Sequence, residues 1–330
     1  MTFKYNNVYI KDSSTVVGPY EKSGPLGKYF DKSYDDLYMG EKSFEKAEIK
    51  LVRESLNILL KKTSYKKKDI DLVIGGDLLN QIISTTFGSL NIGNGFIGVY
   101  GACSSSVLSL IIGSSLIDCG KINNAISVVS SHNLSSEKQF RNPVEYGVLR
   151  PKSSTFTCTG GASLLLTSKK SNIKVESATI GEVIDYNQND PNDMGRVMAP
   201  GAIKTIKKHL DDLGRDASYY DLIVTGDLGI YGREIVKDYM FEKYNIDLSN
   251  NYNDCGVMLY DINTHKEYNA GASGPSSCAL VTYSYILDQL KKKKLKRVLV
   301  VATGALFSPT SLYQKENILS IAHAISLEVV

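Results

Sequence analysis

The sequence lacks the residue patterns from which disulfide frameworks and many metal centres are built. It has no tryptophan, 4 histidines and 5 cysteines in 330 residues, and no two cysteines form a Cys-x-x-Cys pair. Such wide spacing is typical of reduced thiols inside a cell and fits neither a disulfide framework nor a zinc site. The histidines show no metal-ligand spacing either. We therefore expect no metal centre built from cysteine and histidine.

Long apolar runs and a strong excess of one charge are also absent. No apolar run reaches 18 residues, so no membrane-spanning helix is expected. Residues 1–6 lack the apolar core of a signal peptide. The net charge of +3 is too small to indicate a nucleic-acid partner. The basic run 291–297 follows an apolar helix and is interpreted as a solvated helix end, with contact to a membrane surface as the alternative.

Apolar runs and helical stripes alternate along the chain. A helix is predicted from Ser43, and continuous apolar runs at 71–77 and 125–131 predict strands buried on both faces. Residues 159–167 predict a strand, with 173–183 as its hairpin partner, and 201–213 predict a helix. Polar segments at 135–158 and 185–200 are interpreted as loops, and loops of this length are usually functional.

An internal repeat divides the chain into two similar halves. Asp-Leu-x-x-x-Gly-Asp-Leu occurs at 71–78 and again at 221–228. Two further blocks follow in the same order, 101–106 with 271–276 and 125–131 with 297–303. A duplicated α/β unit explains this pattern. We predict an N-terminal half, 1–170, and a C-terminal half, 171–330, each with a mostly parallel sheet covered by helices, related by a pseudo-twofold axis.

The stretch Gly101-Ala102-Cys103-Ser104-Ser105-Ser106 predicts a tight turn between a strand and a helix, with Cys103 at the turn. A helix N-terminus lowers the pKa of a thiol and attracts anions. Cys103 is therefore a nucleophile or the floor of an anion site, whereas the alternative is a small buried apolar residue. In the repeat, Ser273 stands at the equivalent turn, so both helix N-termini are expected to face one cavity.

Two aspartates and two histidines complete the candidates. Asp77 and Asp227 follow equivalent predicted strands, at the strand ends where ligands bind in such sheets. Their alternative role is a helix cap or a loop hydrogen bond. His132 and His323 follow or lie within apolar runs, where a histidine is more often a hydrogen-bonded core residue.

Across nearly its whole length the chain resembles the thiolase-like proteins, which include thiolases and ketoacyl synthases. Within them it is most similar to the stage V sporulation protein AD family, the dipicolinic-acid-binding branch of spore formers. The segments that carry the resemblance are 24–27, 30–32, 69–72, 76–81, 101–104, 130–133, 139–141, 145–147, 193–195, 198–200, 225–228, 254–256, 300–306, 308–310 and 321–323.

The resemblance implies a binding protein rather than an enzyme. Condensing enzymes pair the cysteine with a histidine in the second half and then with a histidine or asparagine, whereas the repeat places Asp227 and Ser273 there. We expect dipicolinic acid to bind, with calcium as its companion and no other cofactor. The candidate ligand-binding residues are Asp77, Asn80, Cys103, Ser104, His132, Thr159, Asp227, Ser273 and His323, with Asp77 and Asp227 as possible calcium contacts.

Two alternatives stay open at this point. In the first, the chain is an acyl-transferring condensing enzyme that uses Cys103, with His323 as a substitute base. In the second, it is a duplicated shell that docks to membrane partners. The resemblance further implies a homodimer in the developing spore, peripheral to its inner membrane, that cooperates with membrane proteins of the same sporulation uptake system.

Overall fold

The computed structural model describes residues 1–140, 150–265 and 268–330. Strands alternate with helices along these residues, as the sequence predicts. The strands are β1 Thr2–Lys4, β2 Tyr9–Val17, β3 Lys32–Ser33, β4 Leu72–Gly76, β5 Phe96–Gly98, β6 Asn124–Ser131, β7 Phe156–Thr157, β8 Gly160–Thr167, β9 Ile173–Thr179, β10 Leu222–Thr225, β11 Tyr252–Asp254, β12 Ala272–Ser273, β13 Arg297–Leu306 and β14 Leu319–Val329.

Helices cover both faces of the sheets. The α-helices are α1 Pro19–Ser23, α2 Phe44–Thr63, α3 Ile83–Gly88, α4 Ser105–Asp118, α5 Asn133–Phe140, α6 Met194–Leu213, α7 Gly229–Tyr244, α8 Cys255–Leu259, α9 Pro275–Val281, α10 Leu287–Lys291 and α11 Pro309–Tyr313. A π-helical turn, Thr282–Ile286, joins α9 to α10. Short 3-10 turns lie at Gly27–Tyr29, Lys67–Asp69, Asn80–Ile82 and Ala217–Tyr219. None of the helices in the described ranges is long and apolar enough to cross a membrane.

The strand order shows two matching halves. It runs β11-β10-β13-β14-β9 in one half and continues as β2-β8-β6-β4-β5 in the other. In each half four strands share one direction, and only β8 or β14 runs against them. The halves meet at β2 and β9, which pair antiparallel at Tyr9 and Lys174. Equivalent strands therefore hold mirrored places in the order, which is the arrangement that the repeated blocks predict.

Two central helices lie between the sheets of the two halves. Helix α4 packs on β4 and β6 of the first half and on β13 and β14 of the second, and α9 packs on α4, β6 and β8. Helix α2 covers the outer face of the first half, and α6 and α7 cover that of the second. The result is a thiolase-like order of helix and sheet layers. Burial on all sides explains why α4 and α9 carry almost no charge.

Three local predictions are corrected by the structure. Strand β8 pairs with β2 and β6, and β9 pairs with β14 and β1, so residues 159–167 and 173–183 do not form a hairpin. Part of the predicted loop 135–158 is helix α5. Helix α6 begins at Met194 and not at residue 201, since Pro200 lies inside the helix. A proline usually marks a helix boundary, so the sequence predicted the start of α6 after Pro200, which is too late.

The two halves make backbone contact beside Cys103. A Cβ atom on Gly304 of β13 would lie 2.5 Å from the Gly101 carbonyl oxygen and 3.3 Å from the Ser104 nitrogen. Only glycine therefore lets β13 reach the Cys103 turn.

We expect Gly304→Ala to lower the free energy of unfolding by roughly 1–3 kcal/mol, the usual cost of overpacking. Thermal and urea unfolding measure it. The matched control is Gly95→Ala, whose added Cβ would make only an ordinary 3.4 Å contact with the Leu72 side chain. Equal stability of the two variants would contradict the close approach.

Candidate functional site

The turn that carries Cys103 is held by its own serines. Ala102 adopts a left-handed φ of 48°, which turns the chain sharply between β5 and α4. The Ser104 hydroxyl donates to the Gly101 carbonyl at 2.6 Å, and the Ser105 hydroxyl donates to the Ala102 carbonyl at 2.8 Å. These hydroxyls therefore stabilise the turn by hydrogen bonds within it.

The equivalent turn of the second half lies opposite. Strand β12 pairs in parallel with β7, so Ser273 lies beside Thr157 of the first half. Gly274 follows with a φ of 101°, and its backbone N–H donates to Asp227 Oδ2 at 3.0 Å. This N–H therefore already bonds to a carboxyl group of the protein.

A cleft of about 580 Å³, including its open mouth, lies between the two turns. It is lined by Leu78, Tyr100, Ala102, Cys103, Ser136, Glu137, Phe140, Thr155, Thr157, Met194, Met198, Asp227, Ser273, Gly274, Ala305 and Phe307. Both halves contribute, as the pseudo-twofold axis predicts.

The Cys103 thiol lies beside the carboxyl group of Asp227, and the two groups interact electrostatically. Burial raises the pKa of Cys103 well above its usual value, and the neighbouring negative charge of Asp227 raises it further. Burial also raises the pKa of Asp227 to about 7, although interactions with Cys103, Thr303 and Gly274 oppose this rise. The thiol is therefore kept protonated, which is the opposite of what a nucleophile needs.

The wall opposite is formed by helix α5 and the end of β13. Glu137 is buried, and its carboxylate pairs with the Arg150 guanidinium at 2.5 Å. The rings of Phe140 and Phe307 lie 5.5 Å apart at a tilt of 49°. With Tyr100 they give the cleft an aromatic rim, and carboxyl groups lie deeper inside.

Three of the nine candidate residues line the cleft: Cys103, Asp227 and Ser273. Asp77 does not, because both of its oxygens accept hydrogen bonds from its own loop, from the Leu79 and Thr85 backbone N–H groups and from the Thr85 hydroxyl. Asp77 therefore has the alternative role given above, a cap or a loop hydrogen bond. The prediction that Asp77 lies in the site is corrected.

The other polar candidates also have structural partners. Thr159 is buried and its hydroxyl accepts from the Asn133 N–H. Asn80 is exposed and its side-chain oxygen accepts from Gln139. Together with Ser104 they lie outside the lining of the cleft.

Both histidines are core residues. His132 Nε2 contacts the Leu37 carbonyl at 2.8 Å, and its ring packs on Phe44. His323 Nδ1 accepts from the Gly181 N–H at 3.2 Å. Burial lowers the pKa of each to about 4. No histidine lies among the described lining residues, so neither can serve Cys103 as a base.

The cleft does not fit a calcium ion held by the protein alone. Both oxygens of Asp227 accept hydrogen bonds, from Thr303 at 2.7 Å and from Gly274, and Asp77 lies elsewhere. Among the described residues no group of three His, Cys, Asp or Glu side chains is placed to hold a metal ion. The pairing of Asp77 with Asp227 as calcium contacts is therefore not supported.

Most lining residues were missed as site residues, although the family-like segments contain several of them. Phe140, Met194, Met198 and Ala305 belong to those segments, but apolar side chains carry no chemical signal of their own. Thr155, Thr157 and Glu137 lie in a region interpreted as an irregular loop. Arg141 and residues 145–147, which belong to the same family-like pattern, lie outside the described residues.

The raised pKa of Asp227 predicts a pH-dependent stability. The unfolded chain releases this proton near pH 4, whereas the folded chain holds it to about pH 7, so stability falls between these values and stays lower above them. Each unit of this pKa difference corresponds to about 1.4 kcal/mol. Asp227→Asn should therefore melt higher than wild type at pH 8, with a smaller gain at pH 5.

Differential scanning calorimetry at both pH values measures the effect. The control is Asp35→Asn at a side chain that is 86% exposed, which should leave the pH dependence of wild type unchanged. A difference between Asp227→Asn and wild type that is the same at pH 5 and pH 8 would contradict this assignment.

Comparisons with known proteins agree with this architecture. A family profile for Stage V sporulation protein AD (SpoVAD) matches residues 1–328. Stage V sporulation protein AD of Bacillus subtilis (strain 168) is 43% identical over 321 residues, which are 97% of this chain and 94% of that protein.

Solved condensing enzymes share the fold at low sequence identity. A variant of OleA from Xanthomonas campestris superposes with a TM-score of 0.62 at 13% identity, over 99% of both chains. The 3-oxoacyl-[acyl-carrier-protein] synthase III of Aquifex aeolicus VF5 gives 0.55 at 13% identity, over 97% of this chain and 99% of that one. These likenesses establish the thiolase-like fold, and the profile and the relative establish that the chain belongs to the stage V sporulation protein AD family.

Proposed function

We propose that this protein binds dipicolinic acid, as its calcium chelate, in the cleft beside Cys103. One observation carries the proposal. Asp227 stands beside the Cys103 thiol and no histidine lies among the described lining residues, so the cleft receives side chains from both halves but lacks the base that an acyl-accepting cysteine requires. Its lining comes from both halves, and small-molecule sites are often found at such junctions.

The rim suits a flat aromatic ring. Phe140 and Phe307 flank the cleft, Tyr100 lies at its mouth, and Met194 and Met198 add adaptable apolar surface. Aromatic rings pack edge to face or offset, and each such contact contributes roughly 0.5–1.5 kcal/mol beyond its buried area. A pyridine ring is a partner of this kind.

The charges favour the chelate over the free dianion. The charged groups among the described lining residues are the carboxyls of Asp227 and Glu137, and Arg150 neutralises Glu137 from outside the lining. No lysine or arginine lies among the described lining residues to balance a free ligand with two carboxylates. Calcium bound to the ligand supplies this balance and leaves room for water or a protein oxygen in its coordination shell.

The rival function is acyl transfer by Cys103, which the condensing enzymes among the structural neighbours bring into consideration. It requires a thiolate, and a carboxylate beside the thiol opposes one, whereas a histidinium would stabilise it. The electrostatics of the described cleft therefore favour binding.

Isothermal titration with dipicolinate should give saturable heat in the presence of calcium and weaker binding in excess chelator. Phe307→Ser should weaken binding up to about tenfold, since it removes one ring contact. The matched control is Tyr313→Ser at a ring that is 82% exposed and outside the cleft, and it should bind as wild type.

Absence of heat in wild type would overturn the proposal. An acyl adduct on Cys103 after incubation with acyl-CoA, detected by intact mass and lost in Cys103→Ala, would instead support the enzyme. Equal weakening by Phe307→Ser and Tyr313→Ser would place the ligand elsewhere.

The proposal extends to the cellular role. We propose that this chain, as a member of the stage V sporulation protein AD family, supports the uptake of dipicolinate into the developing spore together with membrane proteins of the same system. We place it in the developing spore at the inner membrane, as a peripheral protein. A chain that only docks to such partners, without binding dipicolinate, is the third possibility, and the titration separates it.

We further propose that two copies pair through strand β5. No charged residue stands between Asp77 and Asp118. Strand β5 is an exposed edge, and exposed apolar side chains surround it, with Leu90 65% exposed and Phe87 53% exposed. Natural sheet edges usually carry charges or proline that prevent pairing, and this edge has neither. A second copy related by twofold symmetry would continue the sheet.

Phe96→Asp should convert the dimer to a monomer, because it places a charge in the middle of this edge. Sedimentation velocity measures the mass. Tyr313→Asp on α11 is the control and should leave the mass unchanged. If wild type sediments as a monomer, or if both variants stay dimeric with unchanged melting temperature, pairing through β5 is wrong.

A further inference from the structure

Lysines gather at one end of the strands. The amino ends of β2, β4, β6, β9 and β13 adjoin the carboxyl ends of β8 and β14 through the strand register. The chain segments at these strand ends that carry the lysines are 11–12, 61–71, 118–121, 169–174 and 288–297. We call these segments, with the neighbouring carboxylates Asp31, Asp221 and Glu328, the basic end.

Hydrogen bonds and an ion pair join the segments of the basic end. The Asn123 N–H donates to Asp71 at 2.8 Å, and the Asn123 carbonyl accepts from the Ser168 N–H at 2.9 Å. Lys291, which precedes β13 of the second half, contacts Asp12 of the first half at 2.7 Å. The basic end is therefore continuous and receives cations from both halves.

The basic end carries a large excess of positive charge. It contains 16 lysine and arginine residues against 8 aspartate and glutamate residues. The rest of the chain contains 22 against 27. The small net charge of +3 therefore combines an end of +8 with a remainder of −5. Such a separation of charge creates a local field that the net charge of the chain does not reveal.

Ion pairing does not remove this excess. All of the cations in the basic end are exposed except Lys174, which is half-buried. Among these described cations, three are paired with carboxylates, Lys62 with Asp12 and Asp31, Lys291 with Asp12 and Lys292 with Asp288. The other 13 cations stand against five remaining carboxylates, Asp69, Asp71, Asp118, Asp221 and Glu328.

The neighbouring end of α6 leaves the excess almost unchanged. Three ion pairs balance its charges, Lys207–Asp211, Lys208–Asp212 and Arg215–Glu176. Asp216 then subtracts a single charge. The positive field over the basic end is therefore a property of this part of the molecule and is not cancelled beside it.

The residue types of the basic end favour an anionic surface as its partner. Of its 16 cations 15 are lysine, a strongly hydrated point charge, whereas the arginine fork is the group suited to nucleic-acid recognition. Tyr65, its one aromatic residue, is half-buried and packs on the core beside α2. It is therefore not offered to a nucleic-acid base for stacking. Anionic lipid headgroups are attracted by clustered lysines through charge alone.

We propose that the basic end binds the anionic headgroups of a lipid bilayer. The choice of a bilayer rests on the proposed function, which places the protein at a membrane as a peripheral protein. The choice of an anionic surface rests on the charges of the basic end itself. Because its cations are exposed and bind without inserted rings, the attraction is electrostatic and weakens as salt is added.

The basic end and the cleft lie at opposite ends of the strands. Leu78 and Ser136 line the cleft and follow the carboxyl ends of β4 and β6. The lysine segments precede the amino ends of the same strands. Strand β6 has 8 residues, a length of about 26 Å. A chain bound through the basic end therefore holds its cleft away from the bilayer surface.

Co-sedimentation of the full chain with vesicles tests the proposal. Wild type should bind vesicles of phosphatidylcholine with phosphatidylglycerol, should not bind phosphatidylcholine alone, and should be released by added salt. The triple variant Lys67→Glu, Lys170→Glu, Lys294→Glu replaces one exposed lysine in each of three segments and should bind at least tenfold more weakly.

The matched control changes the net charge by the same amount elsewhere. It is the triple variant Lys42→Glu, Lys46→Glu, Lys315→Glu, at exposed lysines outside the basic end. Its affinity for the vesicles should stay within about threefold of wild type, since these positions are screened from a surface at the basic end. Thermal melting of both variants verifies that the fold is kept.

Cys119 gives an independent readout of orientation. It lies in the basic end and is the exposed one of the five cysteines. In a Cys103→Ala background, a dye on Cys119 should be quenched by vesicles that carry a headgroup quencher. The same dye on Tyr313→Cys, with Cys119→Ser, lies beyond the carboxyl end of β13 and should keep its emission.

Four results would overturn the proposal: no binding of wild type to phosphatidylglycerol vesicles, equal binding to vesicles without this lipid, equal weakening by both triple variants, or quenching at Tyr313→Cys without quenching at Cys119. Binding of wild type to a DNA duplex at a salt concentration that releases the vesicles would overturn the choice of a lipid partner.

Dipicolinate titration of the Lys67, Lys170 and Lys294 variant separates this proposal from the proposed function. Unchanged dipicolinate binding together with lost vesicle binding supports the basic end as a separate surface. Absent dipicolinate binding in wild type overturns the proposed function and leaves the vesicle result intact.

Discussion

The contact between the Cys103 thiol and the Asp227 carboxyl group is the interaction on which the site depends. It joins a half-buried turn of the first half to a buried strand end of the second. Burial raises the pKa of Asp227. Hydrogen bonds from Thr303 and Gly274 hold its carboxyl group in place. The same contact that joins the two halves thereby adds to the effect of burial, which raises the pKa of the cysteine.

The internal duplication explains where the two equivalent aspartates, Asp77 and Asp227, lie. Equivalent strands deliver Asp77 and Asp227 to equivalent places, yet the two side chains do different work, because their surroundings differ. Asp77 meets the N–H groups of its own loop and α3, whereas Asp227 meets the opposite half. Of this pair of aspartates, one therefore lines the cleft and the other serves the structure of its own loop.

The repeat and the cysteine turn could be predicted from sequence because both are local patterns. Asp-Leu-x-x-x-Gly-Asp-Leu at 71–78 and 221–228 marked equivalent strands, and Cys103, Asp227 and Ser273 follow from it. The pairing of β8 with β2, and the access of Glu137 and Phe307 to the cleft, depend on contacts between distant residues that no local pattern encodes. His132 and His323 show the opposite error. Both were predicted as ligand-binding residues, whereas both are core residues with hydrogen-bond partners of their own.

The glycine contact between β13 and the Cys103 turn has a consequence for the order of events during folding. Gly304 meets Gly101 only once the two halves have come together, so a chain with one half folded has no cleft. A ligand that binds the cleft then binds the assembled state alone, and by mass action it withdraws molecules from partly folded states. In this protein, a ligand bound in the cleft would therefore stabilise both halves together against partial unfolding.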